Sequence, residues 1–424
     1  MYNILVVEDT AVVRKILENL IGSNPFFRCV SCKDFASVHE VMKQNVDFLA
    51  AVVDLNLPDA PNGEVVEEVL RHRIPTVVLT GSVDEPLRAS LLAQGVLDYI
   101  TKDASYSYRQ VVKILERLRK NLSIKVLVVE DSLVCSNIMC NLLRKALIEV
   151  VVAKNGVEAL RVLEKEPDIK MVISDHYMPE MSGFELVRQL REQPQYQNLT
   201  IIGVSAQGDP VMSAKFIKSG ANDFLTKPFY QEEFYWRVFS ALESMEMMEA
   251  IHKAVYVDVL TGIHNRRYLF EQGEKLFIEK HKFAGFGVCM FDLDEFKEVN
   301  DSLGHLIGDQ LIAQFAGILK KTFADDLLGR YGGEEFVVIS TRSEEALRKD
   351  IANFMYTVRC TLFTEKNLAM TCSVGVCFEP MTSLNESLGA ADAQLYQAKA
   401  FGRNRVEPYD SEVAYCLSCF FNVN

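Results

Sequence analysis

A short apolar segment ending in two acids occurs twice in this sequence, and the distance between the two copies strongly constrains the fold. Residues 4–9 read Ile-Leu-Val-Val-Glu-Asp, and residues 126–131 repeat them as Val-Leu-Val-Val-Glu-Asp, 122 residues later. A period of that length marks a duplicated domain rather than a solenoid. In both copies further apolar strands alternate with helical segments. Each copy is therefore predicted to be an α/β domain whose doubly wound parallel sheet is covered on both faces.

The polar residues at the strand ends predict the chemistry of each copy. The carboxyl ends of parallel strands meet at one edge, so these residues are expected to share a crevice. Each copy offers an acid pair that can hold Mg2+, a lone Asp that can accept a phosphoryl group, and a hydroxyl and a Lys that can bind phosphoryl oxygens. In chain order they are Glu8, Asp9, Asp54, Thr80 and Lys102 in the first copy, and Glu130, Asp131, Asp175, Ser205 and Lys227 in the second.

Five residue types in the same order, twice, resemble the receiver domain of response regulators over residues 1–120 and 124–242. This resemblance implies the flavodoxin-like fold and one Mg2+ per receiver. It also implies that a sensor histidine kinase or a phosphotransfer protein phosphorylates Asp54 and Asp175. The receiver switch that it implies consists of Thr80 and Lys102 in the first copy and Ser205 and Lys227 in the second.

The two copies depart from the receiver pattern in different ways. The second has the loop Asp-x-x-Met-Pro-x-x-x-Gly and a Pro after Lys227, whereas the first has one additional loop residue before Gly63 and Asp103 after its Lys. Both copies are expected to be competent, and the second is the more regular. Tyr99 and Phe224 occupy the position of the aromatic residue whose rotamer follows phosphorylation in this family, although each could equally be an ordinary core residue.

Residues 231–257 carry apolar side chains at helical spacing, without Gly or Pro. Two interpretations are open. The pattern favours the last helix of the second receiver followed by a short helical connector, residues 243–257. The alternative is one helix that runs on into a third domain and transmits rotation or pairing. A long coiled coil is not predicted, because the Met-rich seam lacks regular heptads.

Two strand ends in the third part of the chain are rich in acids. Residues 291–297 read Phe-Asp-Leu-Asp-Glu-Phe-Lys, and in residues 330–338 a Gly-Gly turn is predicted to deliver Glu334 and Glu335 onto an apolar strand. Hard divalent cations and phosphates suit such a site. Taken alone, the Gly-Gly pair could equally be an ordinary hairpin turn, and adjacent residues of a strand point to opposite faces.

Neighbouring residues fit these acids to a nucleoside triphosphate. Such a ligand needs metal and cations for its phosphates, and amide or acid groups for its base. An Asp that accepts from N1-H and the N2 amino group would prefer guanine. The predicted set is Asp292, Glu334 and Glu335 for metal, Lys297, Lys399 and Arg403 for the phosphates, and Asn300 and Asp309 for the base.

The same segments resemble the GGDEF-type diguanylate cyclase domain over residues 258–410, here in a Gly-Gly-Glu-Glu-Phe version, and the whole chain resembles the PleD-type response-regulator cyclases. The resemblance implies an α/β domain with a mainly antiparallel central sheet. It implies condensation of two GTP into cyclic di-GMP and two pyrophosphates, with two Mg2+ per site. The implied roles are Asp292, the Leu293 carbonyl and Glu334 as Mg2+ ligands, Glu334 also in deprotonating the 3'-hydroxyl, Glu335 as a second acidic ligand, Lys297 as a transition-state stabiliser, and Asn300 and Asp309 as guanine contacts.

The product of this reaction predicts a homodimer. One such domain binds one GTP, and cyclic di-GMP is two-fold symmetric. Catalysis is therefore expected to need two facing domains, each supplying a 3'-hydroxyl to the α-phosphate of the other. Phosphorylation of a receiver would then act on the dimer.

The inhibitory product site of this family uses Arg-x-x-Asp just before the Gly-Gly turn. Here that register holds Phe323-Ala324-Asp325-Asp326. The Phe removes the guanidinium fork that would bind the product phosphates. Product inhibition through this site is therefore predicted to be weak or absent.

Composition excludes other classes of protein. A chain of 424 residues suggests about three domains, and its net charge of −13 argues against a nucleic-acid partner, which would require clustered basic residues. The sequence shows neither a signal peptide nor an apolar run of membrane-spanning length, so a cytoplasmic protein without a membrane partner is expected.

The ten cysteines include two Cys-x-x-Cys pairs, Cys29 with Cys32 and Cys416 with Cys419. They could form a four-thiolate zinc site only if the first domain met the C-terminal tail, residues 411–424, and ordinary reduced thiols are favoured.

Two rival functions differ from the cyclase. A non-catalytic module that binds GTP or a partner predicts departures at the ligand positions, and the metal, base and phosphate sets show none. A phosphotransfer scaffold that acts through the receivers alone would leave the intact site of the third domain unexplained.

Overall fold

A computed structural model describes residues 1–44, 46–81, 85–102, 105–206, 210–280, 286–379 and 381–408. Asp103, the tail at 411–424 and its Cys416 and Cys419 lie outside the described residues. The chain forms two compact units, Met1–Glu246 and Met247–Asn424, and each is described by itself.

The first copy of the repeat is a five-stranded parallel sheet with the order β2-β1-β3-β4-β5. Its central strands are almost entirely buried because helices cover both faces. The strands are β1 (Tyr2–Val7), β2 (Phe27–Cys32), β3 (Phe48–Asp54), β4 (Thr76–Thr80) and β5 (Asp98–Thr101), and the helices are α1 (Ala11–Gly22), α2 (Phe35–Met42), α3 (Glu64–Arg71), α4 (Glu85–Gln94) and α5 (Ser105–Asn121).

The second copy has the same topology, with the order β10-β9-β8-β6-β7. The prediction of two doubly wound parallel sheets is confirmed. The strands are β6 (Lys125–Val129), β7 (Glu149–Ala153), β8 (Met171–Asp175), β9 (Thr200–Ala206) and β10 (Asp223–Lys227), and the helices are α6 (Leu133–Lys145), α7 (Gly156–Lys165), α8 (Gly183–Glu192), a short 3-10 turn (Pro194–Tyr196), α9 (Pro210–Lys218) and α10 (Gln231–Tyr256).

The two copies share one apolar core. Leu115 and Leu118 of α5 belong to the same buried cluster as Leu143 of α6 and Phe234 and Val238 of α10. The buried side chain of Asn121 continues this interface, because its Nδ2 donates to the carbonyl oxygen of Ala146 at 2.8 Å. The two copies therefore pack as a single unit.

Helix α10 is continuous from Gln231 to Tyr256. The sequence pattern favours a receiver helix followed by a short connector, whereas the structure has the alternative, one uninterrupted helix. The absence of Gly and Pro over these 26 residues leaves nothing to break the backbone hydrogen bonds.

The third part of the chain is built on a six-stranded mixed sheet with the order β11-β13-β14-β12-β17-β18. Its central pairings are antiparallel and its two edge pairings parallel, which confirms the predicted mainly antiparallel sheet. The strands are β11 (His264–Asn265), β12 (Gly287–Leu293), β13 (Leu327–Gly332), β14 (Glu335–Ser340), β17 (Cys372–Cys377) and β18 (Val406–Glu407), with a separate hairpin of β15 (Leu362–Phe363) and β16 (Leu368–Ala369); the helices are α11 (Arg266–Lys280), α12 (Phe296–Leu303), α13 (His305–Thr322), α14 (Glu344–Cys360) and α15 (Leu384–Ala400).

Across the described residues, none of the helices combines the length and the apolarity that a membrane crossing requires. Cys29 and Cys32 are free thiols, and burial raises the pKa of Cys29 to about 12, so this thiol stays protonated at neutral pH.

Candidate functional site

The five predicted residues of the first receiver converge at the carboxyl edge of its sheet. Lys102 extends from the end of β5 and places its Nζ 2.8 Å from Oε2 of Glu8 and 2.7 Å from Oδ2 of Asp54. Glu8 is fully buried and Asp54 is 5% exposed, whereas Asp9 faces solvent. Thr80, the last residue of β4, is also buried.

Burial and ion pairing compete in this cluster. Burial raises the pKa of Glu8, although its bond to Lys102 acts in the opposite direction. Burial also opposes the charge of Lys102, but hydrogen bonds to Asp54 and Glu8 outweigh it and raise the pKa of Lys102. Lys102 is therefore a firmly protonated counter-ion between two buried acids.

The second receiver repeats this geometry. Nζ of Lys227 lies 2.9 Å from Oδ1 of Asp175 and also contacts Glu130, and Ser205 is buried near the end of β9. In each receiver the acid pair and the lone Asp place one carboxylate oxygen apiece within 4.8 Å of one another. Oxygen donors at this spacing, with a lysine ammonium among them, fit a hard divalent cation.

The two loops after the lone Asp differ, as the sequence indicated. In the second receiver, a Cβ on Gly183 would lie 2.0 Å from the carbonyl oxygen of Asp175, so only Gly allows this close approach. In the first receiver, Gly63 has a φ of +80° and caps α3. A cavity of about 320 Å³ lies beside this loop and reaches Thr80 and Gln94 of α4.

The two aromatic positions have different surroundings. Tyr99 is half-buried against the first receiver's core, and Phe224 is almost fully buried, with its ring 5.5 Å from that of Phe216. Phe216 in turn fills the space above Gly203, where a Cβ would lie 2.5 Å from its ring.

In the third domain, strands β12 and β14 bring two of the predicted acids together. Asp292 is directly opposite Glu335 in the antiparallel register, and Leu293 ends β12. The connection between β13 and β14 is Gly333-Glu334, so Glu334 belongs to the turn rather than to the strand. This differs from the prediction that both acids lie on the strand. It also removes the conflict of two adjacent strand residues pointing to opposite faces.

Asp292 is the most buried acid of this group, with 4% of its surface exposed. Burial raises its pKa to about 6, although Lys399 donates to it. Nζ of Lys399 lies 2.7 Å from Oδ2 of Asp292. Burial likewise raises the pKa of Glu335. Two partly desolvated acids with an ammonium beside them again form an environment that suits a cation.

The acids of this site are less closely gathered than those of the receivers. Among the described residues, three carboxylates within 4.8 Å of one another occur only in the two receivers. Asp292, Glu334 and Glu335 would therefore have to move closer together to share an ion.

The predicted base contacts lie where α12 meets α13. Oδ1 of Asn300 is buried and makes no hydrogen bond, and it faces Gly308, where a Cβ would lie 2.0 Å away. Asp309 follows Gly308 in α13 and is exposed, as is Lys297 in the first turn of α12. A buried acceptor without a partner beside an exposed carboxylate is suited to a ligand with hydrogen-bond donors.

The loop after α15 carries the last predicted cation. Arg403 is exposed, and its backbone N donates to the carbonyl oxygen of Ala398 at 3.0 Å. Two residues that the sequence interpretation left out help to shape the surroundings. Asp294 accepts a hydrogen bond from the backbone of Asn404, and Arg330 donates to the carbonyl oxygen of Gly333 in the hairpin turn at 2.8 Å. The signal for Asp294 was present in the Asp-Leu-Asp segment, but its partners are distant in sequence.

The residues at the position of the family's inhibitory product site, 323–326, do not form an open anion-binding site. Phe323 is 1% exposed, and its ring lies 5.5 Å from Phe291 and 5.9 Å from Phe354. Asp326 is held by Arg342, whose Nε lies 3.1 Å from its Oδ1. The position is part of the core.

Comparison with known families finds two receiver domains in the first two parts of the chain and a GGDEF domain in the third. The family described as "Response regulator receiver domain" matches residues 4–115 and 126–239, and the family described as "Diguanylate cyclase, GGDEF domain" matches residues 255–405. Receiver and GGDEF domains generally use Mg2+, GGDEF cyclases bind GTP, and receivers interact with kinases.

Two curated proteins and one solved structure are similar to large parts of this chain. Response regulator PleD of Caulobacter vibrioides is 30% identical over 285 residues, which cover 60% of this chain and 62% of PleD. Diguanylate cyclase DgcP of Pseudomonas aeruginosa is 33% identical over 195 residues, which cover 42% of this chain and 29% of DgcP. A crystal structure described as that of a two-component system response regulator/GGDEF domain protein is 39% identical and covers 58% of this chain and 100% of its own, with a TM-score of 0.53.

Proposed function

The chain belongs to the response regulators, with two receiver domains and a GGDEF domain, and on that premise we propose that it is a diguanylate cyclase. It condenses two GTP into cyclic di-GMP and two pyrophosphates. The observation that carries the proposal is the buried Asp292 directly opposite the half-buried Glu335, with Lys399 beside Asp292. The chain matches less than two thirds of the length of PleD, so the activity is a proposal for this chain.

The acidic residues of the cyclase domain are the groups that can bind metal ions. We assign metal binding to Asp292, the Leu293 carbonyl, Glu334 and Glu335, with two Mg2+ per cyclase site. When bound, Mg2+ supplies charge neutralisation for the triphosphate. Each receiver would hold one Mg2+ through Glu8 and Asp9 with Asp54, or through Glu130 and Asp131 with Asp175.

The remaining residues bind and orient GTP. Asn300 and Asp309 contact the guanine, because an unpaired amide oxygen and a carboxylate both accept from its N-H groups. Lys399 and Arg403 bind the phosphates, and Lys297 stabilises charge that develops in the transition state. Glu334 takes the proton of the attacking 3'-hydroxyl. Lys399 must turn from Asp292 to reach the phosphates, and a bound cation would take its place.

The product requires two such sites. Each GTP must present its 3'-hydroxyl to the α-phosphate of the other, so we propose a homodimer in which two copies of the GGDEF domain face each other. One copy binds one GTP and forms half of the active unit.

The receivers control that dimer in this proposal. A sensor histidine kinase or a phosphotransfer protein would phosphorylate Asp54 or Asp175. Lys102 and Thr80, or Lys227 and Ser205, then bind the phosphoryl oxygens. Phosphorylation gives the half-buried lysine phosphoryl oxygens as new acceptors beside the modified Asp and so redistributes its hydrogen bonds.

The first receiver is well placed to act on α10. Nε of Arg88 in α4 lies 2.7 Å from Oε1 of Glu232, and Gln231 donates to the carbonyl oxygen of Val96 at 2.8 Å. Further along α10, Glu246 accepts from Lys120 of α5 at 2.6 Å. A shift of α4 or β5 would therefore move the helix that leads into the GGDEF domain.

We propose the domain limits 1–120, 124–242 and 258–410, with 411–424 as a tail. Residues 243–257, which include the C-terminal part of the continuous helix α10, form the helical connector. The proposed location is the cytoplasm, where GTP and the phosphate donors of receivers occur.

The test is production of cyclic di-GMP from GTP and Mg2+ by the full chain, treated with a phosphoryl analogue such as beryllium fluoride. Asp292→Asn and Glu335→Gln are each expected to lower the rate at least about 100-fold, the scale of losing a charged group in an active site. The exposed Glu365→Gln is the control and should keep the full rate. Full activity in either acid variant, or none in the treated wild type, would overturn the proposal.

A further inference from the structure

Asp294, the second acid of the Asp-Leu-Asp segment, has different contacts from Asp292, the first. Asp294 is 5% exposed, and both of its carboxylate oxygens are occupied. Oδ1 accepts from Oγ of Ser373 at 2.6 Å, and Oδ2 accepts from Oγ1 of Thr371 at 2.7 Å and from the backbone N of Asn404 at 3.0 Å. An acid with these three donors is a structural acceptor rather than an open metal ligand.

The loop that Asp294 holds has a demanding backbone. Gly402, Arg403 and Asn404 have φ values of +106°, +62° and +51°. Residues with side chains adopt such values only where their surroundings hold them. Arg359 supplies a second restraint, because its Nε donates to Oδ1 of Asn404 at 2.7 Å and its Nη2 to the carbonyl oxygen at 2.9 Å. Asn404 is thus held from two sides.

The helix before this loop is also fixed to the sheet. A Cβ on Gly375 of β17 would lie 2.1 Å from the carbonyl oxygen of Ala391, so α15 packs directly on the strand. Near its end Lys399 contacts Asp292. Asp292 and Asp294 therefore restrain two neighbouring cationic residues. Asp292 contacts Lys399 directly, and Asp294 holds Arg403 through the backbone of the next residue, Asn404.

From this arrangement we infer that Asp294 is a positioning residue for the triphosphate. It fixes the backbone of the Arg403 loop relative to β12, so that the guanidinium and the ammonium of Lys399 lie on the same side as the acids. The inference rests on the proposed function, because it assigns a role in binding the same GTP. It predicts that loss of Asp294 weakens contacts to the phosphates and spares those to guanine.

Equilibrium binding to the full chain separates these contacts. Two ligands are compared in the presence of Mg2+, a non-hydrolysable GTP analogue and GMP, which keeps the guanine but lacks the polyphosphate. Asp294→Ala is expected to raise the Kd of the analogue about tenfold, the scale of one charge-assisted contact, and that of GMP less than about twofold. Asp325→Ala, an exposed acid of the same domain, is the matched control and should change neither.

A double-mutant cycle identifies the residue through which Asp294 acts. If it positions Arg403, the Arg403→Ala variant already lacks the contact, and adding Asp294→Ala should weaken the analogue by less than about twofold more. If the two substitutions weaken analogue binding by factors that multiply in the double variant, Asp294 and Arg403 act independently and the inference is overturned. Equal weakening of GMP and the analogue would also overturn it. So would recovery of analogue binding at high Mg2+, which would make Asp294 a metal ligand.

Arg359→Ala provides a second route if Asp294→Ala does not fold. It loosens Asn404 from the opposite side without altering β12, and the same selective loss of analogue binding is expected. Unchanged analogue binding in this variant would contradict the restraint. Failure of the proposed function looks different: a wild type that binds the analogue but makes no cyclic di-GMP is not a cyclase, while the binding cycle can still hold.

Discussion

Gly308 determines how closely α13 approaches Asn300. A Cβ at this position would lie 2.0 Å from the amide oxygen and 3.1 Å from the ring of Phe296, so an Ala would displace Asn300 from the proposed guanine site. Gly308→Ala is expected to raise the Kd of both GMP and a GTP analogue about tenfold, the scale of one lost hydrogen bond to a nucleobase. Isothermal titration of the full chain measures both values.

The same helix provides the control. A Cβ on Gly317 of α13 would meet nothing within 4 Å, so Gly317→Ala should bind both ligands normally and stabilise the helix by about 0.5–1 kcal/mol. Normal binding by Gly308→Ala would show that Asn300 does not need its observed position. The opposite pattern, loss for the analogue alone, would place Asn300 near the phosphates instead.

Phe323 and Asp326 predict a cyclase with little product inhibition. Phe323 packs among Phe291 and Phe354, and the carboxylate of Asp326 is paired with Arg342. Cyclic di-GMP at low micromolar concentration is expected to leave the initial rate unchanged, and Asp326→Ala is expected to respond to product as the wild type does. Submicromolar inhibition that disappears in Asp326→Ala would contradict this prediction.

At this scale the sequence anticipated which residues lie together, such as Lys102 beside Asp54 and Asp292 opposite Glu335. It could not anticipate how Asp294 is used, because its partners Thr371, Ser373 and Asn404 lie 77, 79 and 110 positions away. Nor could it place Glu334 in the turn, since that depends on a register shift between Arg330 and Gly332 in the β13–β14 pairing.

Among the elements, β5 meets α10 near a half-buried acid. Burial raises the pKa of Asp98, the first residue of β5, to about 6, and Glu232 of α10 adds to the increase. Burial raises the pKa of Tyr235, and Asp98 adds to the increase. The acid at the start of β10, Asp223, is instead paired with Arg237 at 2.8 Å. Asp98 and Asp223 occupy matched positions in the two receivers, but among the residues that the structure describes only the carboxylate of Asp223 has a basic partner, Arg237.

This difference predicts how stability depends on pH. Because the folded pKa of Asp98 lies above that of an unfolded Asp, its protonated form favours folding, and this stabilisation is lost as pH rises through about 6. Asp98→Asn should therefore be more stable than wild type at pH 7.5, by about 2 kcal/mol, with the difference shrinking towards pH 5. Urea unfolding followed by the single tryptophan, Trp236 of α10, measures this unit.

Asp223→Asn is the matched control. It removes one member of an ion pair, so it should destabilise the same unit at pH 7.5. A lower stability of Asp98→Asn than of wild type at pH 7.5 would mean that Asp98 is stabilised as a carboxylate, contrary to its surroundings.

The strands and helices of the receivers were predictable because apolar runs and strand-end residues recur in both copies. The length of α10 was not, because the helical pattern does not distinguish one helix from two that follow each other. In the structure, backbone hydrogen bonding continues through the whole segment as a single helix, because no Gly or Pro interrupts it. Likewise, the shared core of the two receivers depends on contacts between distant segments, such as α5 with α6 and α10.

For the whole molecule, the proposal requires two chains in each active unit. Glu335→Gln should therefore inhibit wild type when the two are mixed, because a mixed dimer has only one complete site and two phosphodiester bonds must form. With free exchange at equal concentrations, the rate per wild-type chain is expected to fall to about one half, and to about one tenth with a tenfold excess of the variant. The measurement is cyclic di-GMP formed at a fixed wild-type concentration, with beryllium fluoride present.

Glu365→Gln, mixed in the same ratios, controls for the added protein and should contribute its own activity without lowering that of the wild type. The specific activity of wild type alone should also rise with its concentration, as a dimer requires. If the rate per wild-type chain stays constant at every ratio, although mass measurement shows that mixed dimers form, then one intact site is sufficient. The variant chain would then need only to hold its own GTP, and the requirement for two complete sites, on which this prediction depends, would fail.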